Sequence, residues 1–366
     1  MSCDLIKLAT PGVSGLQPYH PGKPMDELER ELGLTDIIKL ASNENPLGAG
    51  DRVMQALQQP REISRYPDGN GHKLKSALAE FHHVNFDQIT LGNGSNDVLE
   101  LIARATVSPA HEVIFSEHAF AVYPLVVQAL GAKSVVTPAR DWGHDTEAMV
   151  AAITDKTRLM FIANPNNPTG TWLQRNKIEA LLQMVPDNVI VVIDEAYFEY
   201  VQEPQYPNCI ELLQDYQNLL VTRTFSKAYG LAGLRIGYAV SHPDLADLMN
   251  RVRQPFNVNS IAMAAAEIAL SDYEHIERSI KLNQSGLQQL ISAFNNLGLD
   301  YIPSVANFIC VDLQETGIEI YNKLLRKGVI VRPIDVYGMP NHLRVTIGLE
   351  QENRKFIKAL TEVLAE

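Results

Sequence analysis

Short apolar runs, each followed at once by a polar or glycine-rich turn, most constrain what this chain can fold into. Val113-Ile114-Phe115, Leu159-Met160-Phe161-Ile162, Val189-Ile190-Val191-Val192-Ile193 and Leu219-Leu220-Val221 carry no polar side chain at alternate positions. Between them lie segments of helical period: Tyr123 to Leu130 closing at Gly131, Thr146 to Ile153, and Gln174 to Met184. Strands that are apolar at every position need cover on both sides, so the alternation predicts an α/β fold with a mostly parallel sheet between helices. Open sheets of this kind bind ligands beyond the C-terminal ends of their strands. The chemistry-bearing residues cluster there: Gly94, Ser95 and Asn96, then Asn167, then Asp194 and Tyr197, then Ser226 and Lys227.

The chain has 366 residues, enough for about two domains. Its net charge of −12 (31 Lys and Arg against 43 Asp and Glu) disfavours nucleic acid as the main partner. A local cationic pocket for an anionic substrate stays compatible with that total. Cys3, Cys209 and Cys310 are far apart and odd in number, which suits a reducing cytoplasm better than a disulfide framework. The N-terminal stretch has no apolar core of a signal peptide, and no apolar run approaches the roughly 20 residues that span a bilayer. His82-His83 is the one close histidine pair. Neighbours on a helix point apart, so no metal site is expected there.

Residues 1–25 read as an arm rich in Pro and Gly, followed by a helix at Met25 to Leu32 that stops at Gly33. Ile37 to Leu40 is a short strand leading into the polar loop Ala41 to Gly48. Gln88 to Ile102 reads strand, glycine turn, helix, with Ser95, Asn96 and Asp97 as capping residues and a helix N-terminus suited to a phosphate. It partly imitates a dinucleotide fingerprint, but Asp97 stands where a third glycine belongs, and there is no GKS or GKT. After Gly237 a charged helix covers Pro243 to Arg253, Pro255-Phe256-Asn257 breaks it, and a long helical region from Ser260 to Asn296 bridges to a smaller α+β unit. A final amphipathic helix runs from Glu350 to Leu364.

Lys227 follows an apolar strand and stands among small and aromatic residues, where partial desolvation would lower its pKa and free a nucleophilic amine. Thr224, Ser226 and Arg235 could hold a phosphate beside it. NPNNPTG (164–170), DEAY (194–197) and SKAYGLAGLRIGY (226–238), in this order and spacing, resemble the fold type I pyridoxal-phosphate aminotransferases. KLASNENPLG (39–48) and RYPDG (65–69) are similar to the histidinol-phosphate branch of that family.

The resemblance implies a large domain with a mostly parallel seven-stranded sheet plus a smaller α+β domain, divided as residues 1–35 (arm and part of the small domain), 36–260 and 261–366. It implies pyridoxal 5'-phosphate as cofactor, with Lys227 carrying its aldehyde and shuttling the proton. Asp194 would meet the ring nitrogen, Tyr197 and Asn167 the ring oxygen, and Phe120 the ring face. Gly94, Ser95, Asn96, Thr224, Ser226 and Arg235 would take the phosphate. A homodimer is implied, with Tyr66 reaching the neighbour's cofactor. On the substrate side it implies Tyr19, Asn43, Asn167, Arg332 and Arg344. The implied substrates are histidinol phosphate and glutamate or 2-oxoglutarate, with no nucleic acid and no membrane as partner.

One departure is Phe256, where some relatives place a partner tyrosine; Asn257 could substitute. An aromatic or broad-specificity aminotransferase would share the cofactor residues and differ only at the substrate end. A phosphoamino-acid decarboxylase of the same fold, a nicotinamide-dependent dehydrogenase resting on GNGSND, and a non-catalytic binding protein are weaker readings, the last because Lys227 is retained.

Overall fold

The structure, a computed structural model, describes residues 5–18, 22–59 and 62–366. In chain order its strands are β1 (Ile38–Lys39), β2 (Ile89–Gly92), β3 (Glu112–Ser116), β4 (Lys133–Thr137), β5 (Ala139–Arg140), β6 (Gly143–His144), β7 (Thr157–Ala163), β8 (Ile190–Asp194), β9 (Leu219–Thr224), β10 (Gly237–Ser241), β11 (Tyr301–Ile302), β12 (Phe308–Asp312), β13 (Val329–Ile330), β14 (Arg332–Pro333) and β15 (His342–Thr346).

Seven of them form one sheet in the order β2-β10-β9-β8-β7-β3-β4. β10 alone runs against its neighbours; β9, β8, β7, β3 and β4 pair in parallel. Period-two alternation sorts their side chains into two cores. Ile114, Met160, Ile162, Val191, Ile193 and Val221 enter one, while Val113, Phe115, Leu159, Phe161, Val192 and Leu220 enter the other. Every residue of β3, β8 and β9 is buried, the two-sided cover expected from their unbroken apolar runs.

The antiparallel β10 is the strand that periodicity did not mark. It lies between β2 and β9, so β2, the strand before GNGSND, is at the sheet's edge. That placement is unlike a dinucleotide fold, whose glycine turn follows a central strand.

A second, antiparallel sheet has the order β11-β12-β15-β14. Leu290, Phe294, Ile309, Val311, Val345, Phe356 and Leu360 pack its core against helices Tyr273–Leu297 and Glu350–Leu364. Two segments sit differently from the expected division. β1, placed by sequence in the 36–260 span, pairs in parallel with β13. Ile38 belongs to the core of the second sheet. The bridging helix is two helices, Ser260–Leu270 and Tyr273–Leu297, interrupted where Asp272 caps the second. Ala262, Ala265, Ala266 and Ala269 of the first pack in the large sheet's core, beyond the expected cut at 260. Both segments carry side chains too ordinary to announce their partners.

The polar loop after β1 is pinned from three directions. The Asn43 N–H donates to Thr346 Oγ1 at 2.9 Å, and Asn307 Nδ2 donates to the Asn43 carbonyl at 3.0 Å. Asn45 Nδ2 reaches both the Ala228 carbonyl and Ser279 Oγ, each at 2.8 Å. Among the described residues no helix is long and apolar enough to cross a membrane.

Gly230 has φ +70°, and a Cβ there would lie 1.9 Å from the Gly48 carbonyl oxygen. Gly230→Ala must therefore push the Asn43–Gly48 loop off the Lys227 segment, at a cost of about 2 kcal/mol or more. Urea denaturation checks this; a loss below about 0.5 kcal/mol, the ordinary range for surface changes, would contradict it.

Candidate active site

Where the strands β7, β8 and β9 end and β10 begins, a cavity of about 270 Å³ opens against the second sheet. It is lined by Lys227, Arg235, Arg332 and Arg344 with the single carboxylate Asp194. Four cations against one anion, in a chain of net charge −12, describe a site shaped for more than one negative group.

Lys227 Nζ donates to the Ser42 carbonyl at 3.0 Å and lies 5.7 Å from the Tyr197 ring centre. Burial first, then the charge of Arg344 and, less, that of Arg235, push its pKa down to about 7 against opposing pulls from Glu44 and, less, Asp194. The side chain borders the cavity while its ammonium end has lost most of its water, so half of the amine is unprotonated near neutrality.

Asp194 is the last residue of β8. Its Oδ1 accepts from Thr222 Oγ1 at 2.9 Å and its Oδ2 from Tyr123 OH at 3.1 Å. Burial raises its pKa; those two bonds and the Ala196 backbone pull the other way. No described cation forms an ion pair with it, so a positively charged ring nitrogen would supply a partner that the protein lacks.

The Tyr197 hydroxyl accepts from Asn43 Nδ2 at 2.9 Å and from Asn167 Nδ2 at 3.2 Å. The amide orientations follow from their other bonds: Asn43 Oδ1 accepts from Thr346, and Asn167 Oδ1 from Arg344. Burial pushes Tyr197 up to about 12, so its proton stays and is left to donate to an oxygen in the cavity.

The NPNNPTG turn braces itself so that Asn167 reaches this cluster. Asn166 Nδ2 donates to the His118 carbonyl and to Thr169, and Gly170 (φ +79°) lies so close to Ser304 that a Cβ would be 2.1 Å from its Oγ.

The phosphate-suited turn differs in detail from its sequence reading. Gly94 (φ +87°) is the N-cap of helix Ser95–Thr106, and no side chain caps it. Asp97 instead accepts from the Asn93 N–H at 2.8 Å and from Asn257 Nδ2 at 2.8 Å. Among the described residues the Ser95 and Asn96 N–H groups have no acceptor, which is what an incoming anion needs. A Cβ at Gly94 would lie 2.4 Å from Arg235 Nη2, so glycine lets the guanidinium close over the turn. Thr224 and Ser226 complete the wall, the Ser226 N–H donating to Thr224 Oγ1. Phe120 lines the cavity with its ring edge-on to Tyr123.

Arg344 and Arg332 are direct cross-strand partners in the β14–β15 pair. Two like charges opposite one another cost stability unless an anion lies between. Arg344 is 6% exposed; its Nη1 donates to Asn167 at 2.6 Å and its Nη2 to the Ala41 carbonyl at 2.8 Å. Among the described residues its Nε has no partner and no carboxylate pairs with it.

Two expected residues stand apart. Tyr66 is 82% exposed and stacks on Phe256 at 4.6 Å rather than lining this cavity. Tyr19 lies outside the described residues. Asn257 is committed to Asp97 and to Arg253, so it holds the anion turn and does not replace a lost tyrosine hydroxyl. His82 turns inward, its Nε2 2.8 Å from Tyr238 OH, and no described group of histidines, cysteines or carboxylates could hold a metal. Thr222 and Tyr123, which hold Asp194, were missed by sequence reasoning; Thr222 sat two places before Thr224 with nothing to mark its direction.

The family model for aminotransferase class I and II matches residues 35–360. The chain belongs to the class I and II aminotransferases. A histidinol-phosphate aminotransferase of Nitrosococcus oceani is 59% identical over 361 residues, covering 98% of each chain. One from Pseudomonas aeruginosa is 56% identical over 99% of each. The crystal structure of histidinol-phosphate aminotransferase from Sinorhizobium meliloti in complex with pyridoxal-5'-phosphate superposes with a TM-score of 0.90 at 30% identity over 97% of each chain. In this aminotransferase, as expected from its motifs, the large sheet has seven strands and a smaller α+β unit closes the cavity.

Competitive acylation of the cofactor-free chain reads Lys227 directly. Its reactivity should rise with pH through a midpoint of about 7, because only the neutral amine reacts, and level off above. A midpoint near 10, like that of an exposed lysine, would mean that the amine is not desolvated.

Proposed function

We propose that this aminotransferase is a histidinol-phosphate aminotransferase using pyridoxal 5'-phosphate. It moves an amino group between glutamate and 2-oxoglutarate on one side and histidinol phosphate and imidazole acetol phosphate on the other. The observation that carries the reading is one cavity holding a neutral-prone amine, a buried carboxylate without a cation among the described residues, an open helix start and two facing arginines, of which Arg344 is buried. The names of its relatives, more than half identical across nearly the full chain, supply the substrate.

The residues fit the cofactor group by group. Ser95, Asn96, Thr224, Ser226 and Arg235 would hold its phosphate, Asp194 its protonated ring nitrogen, Tyr197 and Asn167 its ring oxygen, Phe120 its face and Lys227 its aldehyde. When bound, the cofactor supplies a carbonyl for the substrate amine and a sink for the negative charge that develops at the substrate carbon. Lys227, about half unprotonated near neutral pH, would take the proton from the substrate Cα and return it at the acceptor carbon. Arg344 orients a carboxylate or phosphate through its unfilled Nε, and Arg332 adds charge at the same end. Asn43 holds Tyr197 in place and excludes water from that side.

The chain is further proposed to work as a homodimer, in the cytoplasm. Leu5, Ile6, Leu8, Ile63 and Tyr66 are strongly exposed, a pattern that suits a partner surface. Tyr66 would then reach the neighbour's phosphate. Two tests follow. Lys227→Ala should abolish turnover, and wild-type kcat/KM for histidinol phosphate should exceed that for phenylalanine by roughly 100-fold or more. Comparable values would favour a broad-specificity aminotransferase. Mixing Lys227→Ala with Tyr66→Ala subunits should restore cofactor grip at one site of each hybrid dimer. Hybrids no better than their parents would remove the shared-site arrangement.

A further inference from the structure

On the far face of the sheet, directly behind Asp194, lies a buried charge pair that the proposed reaction does not employ. β8 and β9 run in parallel with Asp194 opposite Thr222. Alternation sends Asp194 and Thr222 to the cavity side of the sheet, and the residue after each, Arg223 in β9 and Glu195 just past the end of β8, to the other side. Glu195 is 0% exposed and Arg223 3%. Arg223 Nε and Nη2 both donate to Glu195 Oε2, at 3.0 and 2.8 Å, and Nη2 also reaches Asn208 Oδ1 at 2.7 Å. The Cys209 N–H fills Glu195 Oε1 at 3.0 Å, and the guanidinium stacks 3.4 Å from the Phe198 ring centre. One strand therefore grips the end of the other from both faces, Thr222 on Asp194 in front and Arg223 on Glu195 behind.

Two buried carboxylates on consecutive residues repel. Burial first, and the Glu195 charge in addition, favour the protonated form of Asp194. Asp194 is faced by Tyr123, Tyr197 and Lys227 besides Glu195. The pair behind it is faced by Glu199, Tyr206, Cys209, Tyr229 and Tyr238, with His82 beyond. Arg223 is the one cation in direct ion-pair contact with Glu195 among the described residues.

We propose that Arg223 is a positioning residue for the transamination: by neutralising Glu195 behind the sheet, it keeps Asp194 charged and aimed at the ring nitrogen of pyridoxal phosphate. The inference rests on the function proposed above, but the charge of Asp194 can be read without the cofactor.

The test compares Arg223→Gln, Glu195→Gln and the double variant. On cofactor-free protein with isotope-labelled aspartate, infrared titration follows Asp194, identified as the band lost in Asp194→Asn. Arg223→Gln should raise its midpoint by about one pH unit or more. The double variant, with both charges removed, should bring it back to near the wild-type value. With pyridoxal phosphate added, Arg223→Gln should weaken cofactor binding about 10-fold and lower kcat, while KM for histidinol phosphate stays within about twofold, and the double variant should recover both.

An unchanged Asp194 midpoint in Arg223→Gln, or a double variant as impaired as the single one, would overturn the proposal in favour of simple packing. If Arg223→Gln does not fold, Glu195→Gln decides: the midpoint should fall, and no change overturns the idea. Wild-type protein that takes up no pyridoxal phosphate would remove the proposed function, and the infrared titration would still settle the role of Arg223.

Discussion

Taking a cation out of water without giving it a partner is the constraint on which this structure turns. Arg344 is buried in an antiparallel sheet opposite another arginine; among the described residues its Nε is unfilled and its acceptors are only an amide and a carbonyl oxygen. Lys227 shares that environment, with Arg344 and Arg235 as its neighbours. An ammonium group is more easily given up than a guanidinium. The lysine is therefore the group whose proton is loosened. The groups proposed as nucleophile and anion receptor thus share a single electrostatic conflict.

Holding that conflict in place is the work of amides. Asn43, Asn45, Asn167 and Asn307 bond loops that come from both sheets and from both ends of the sequence. Amides can donate and accept at once without adding charge, so they tie the loops together while leaving the balance of cations untouched. The net worth of each such bond is modest, about 1 kcal/mol, but a broken one leaves a buried polar group bare, which costs more. The same economy explains why the Tyr197 hydroxyl receives two amide donors and retains its own hydrogen for the cavity.

Much of this was legible before any coordinates. The strands from Val113 to Val221 were visible because two-sided burial leaves no alternation, and Gly33 marked its helix end by adopting φ +68° as only glycine does readily. The motifs named Lys227, Asp194, Tyr197 and Asn167 together. Less was legible where a residue's role depends on direction. Thr222, Arg223 and Thr224 read as one polar triplet at a strand end, yet successive side chains point to opposite faces and serve different partners. Asn257 looked available and proved committed to Asp97.

By itself the sequence determined the fold class and most of the order of elements, and it named the side chains proposed to react, because apolar periodicity and turn chemistry are local and survive without neighbours. Only the tertiary structure decided that β10 runs backwards between β2 and β9, that β1 joins β13, and that Arg332 lies across from Arg344. Those outcomes depend on contacts between residues far apart in the chain. The charge of the central lysine was decided there too, since desolvation and the fields of distant arginines exist only once the chain has closed around them.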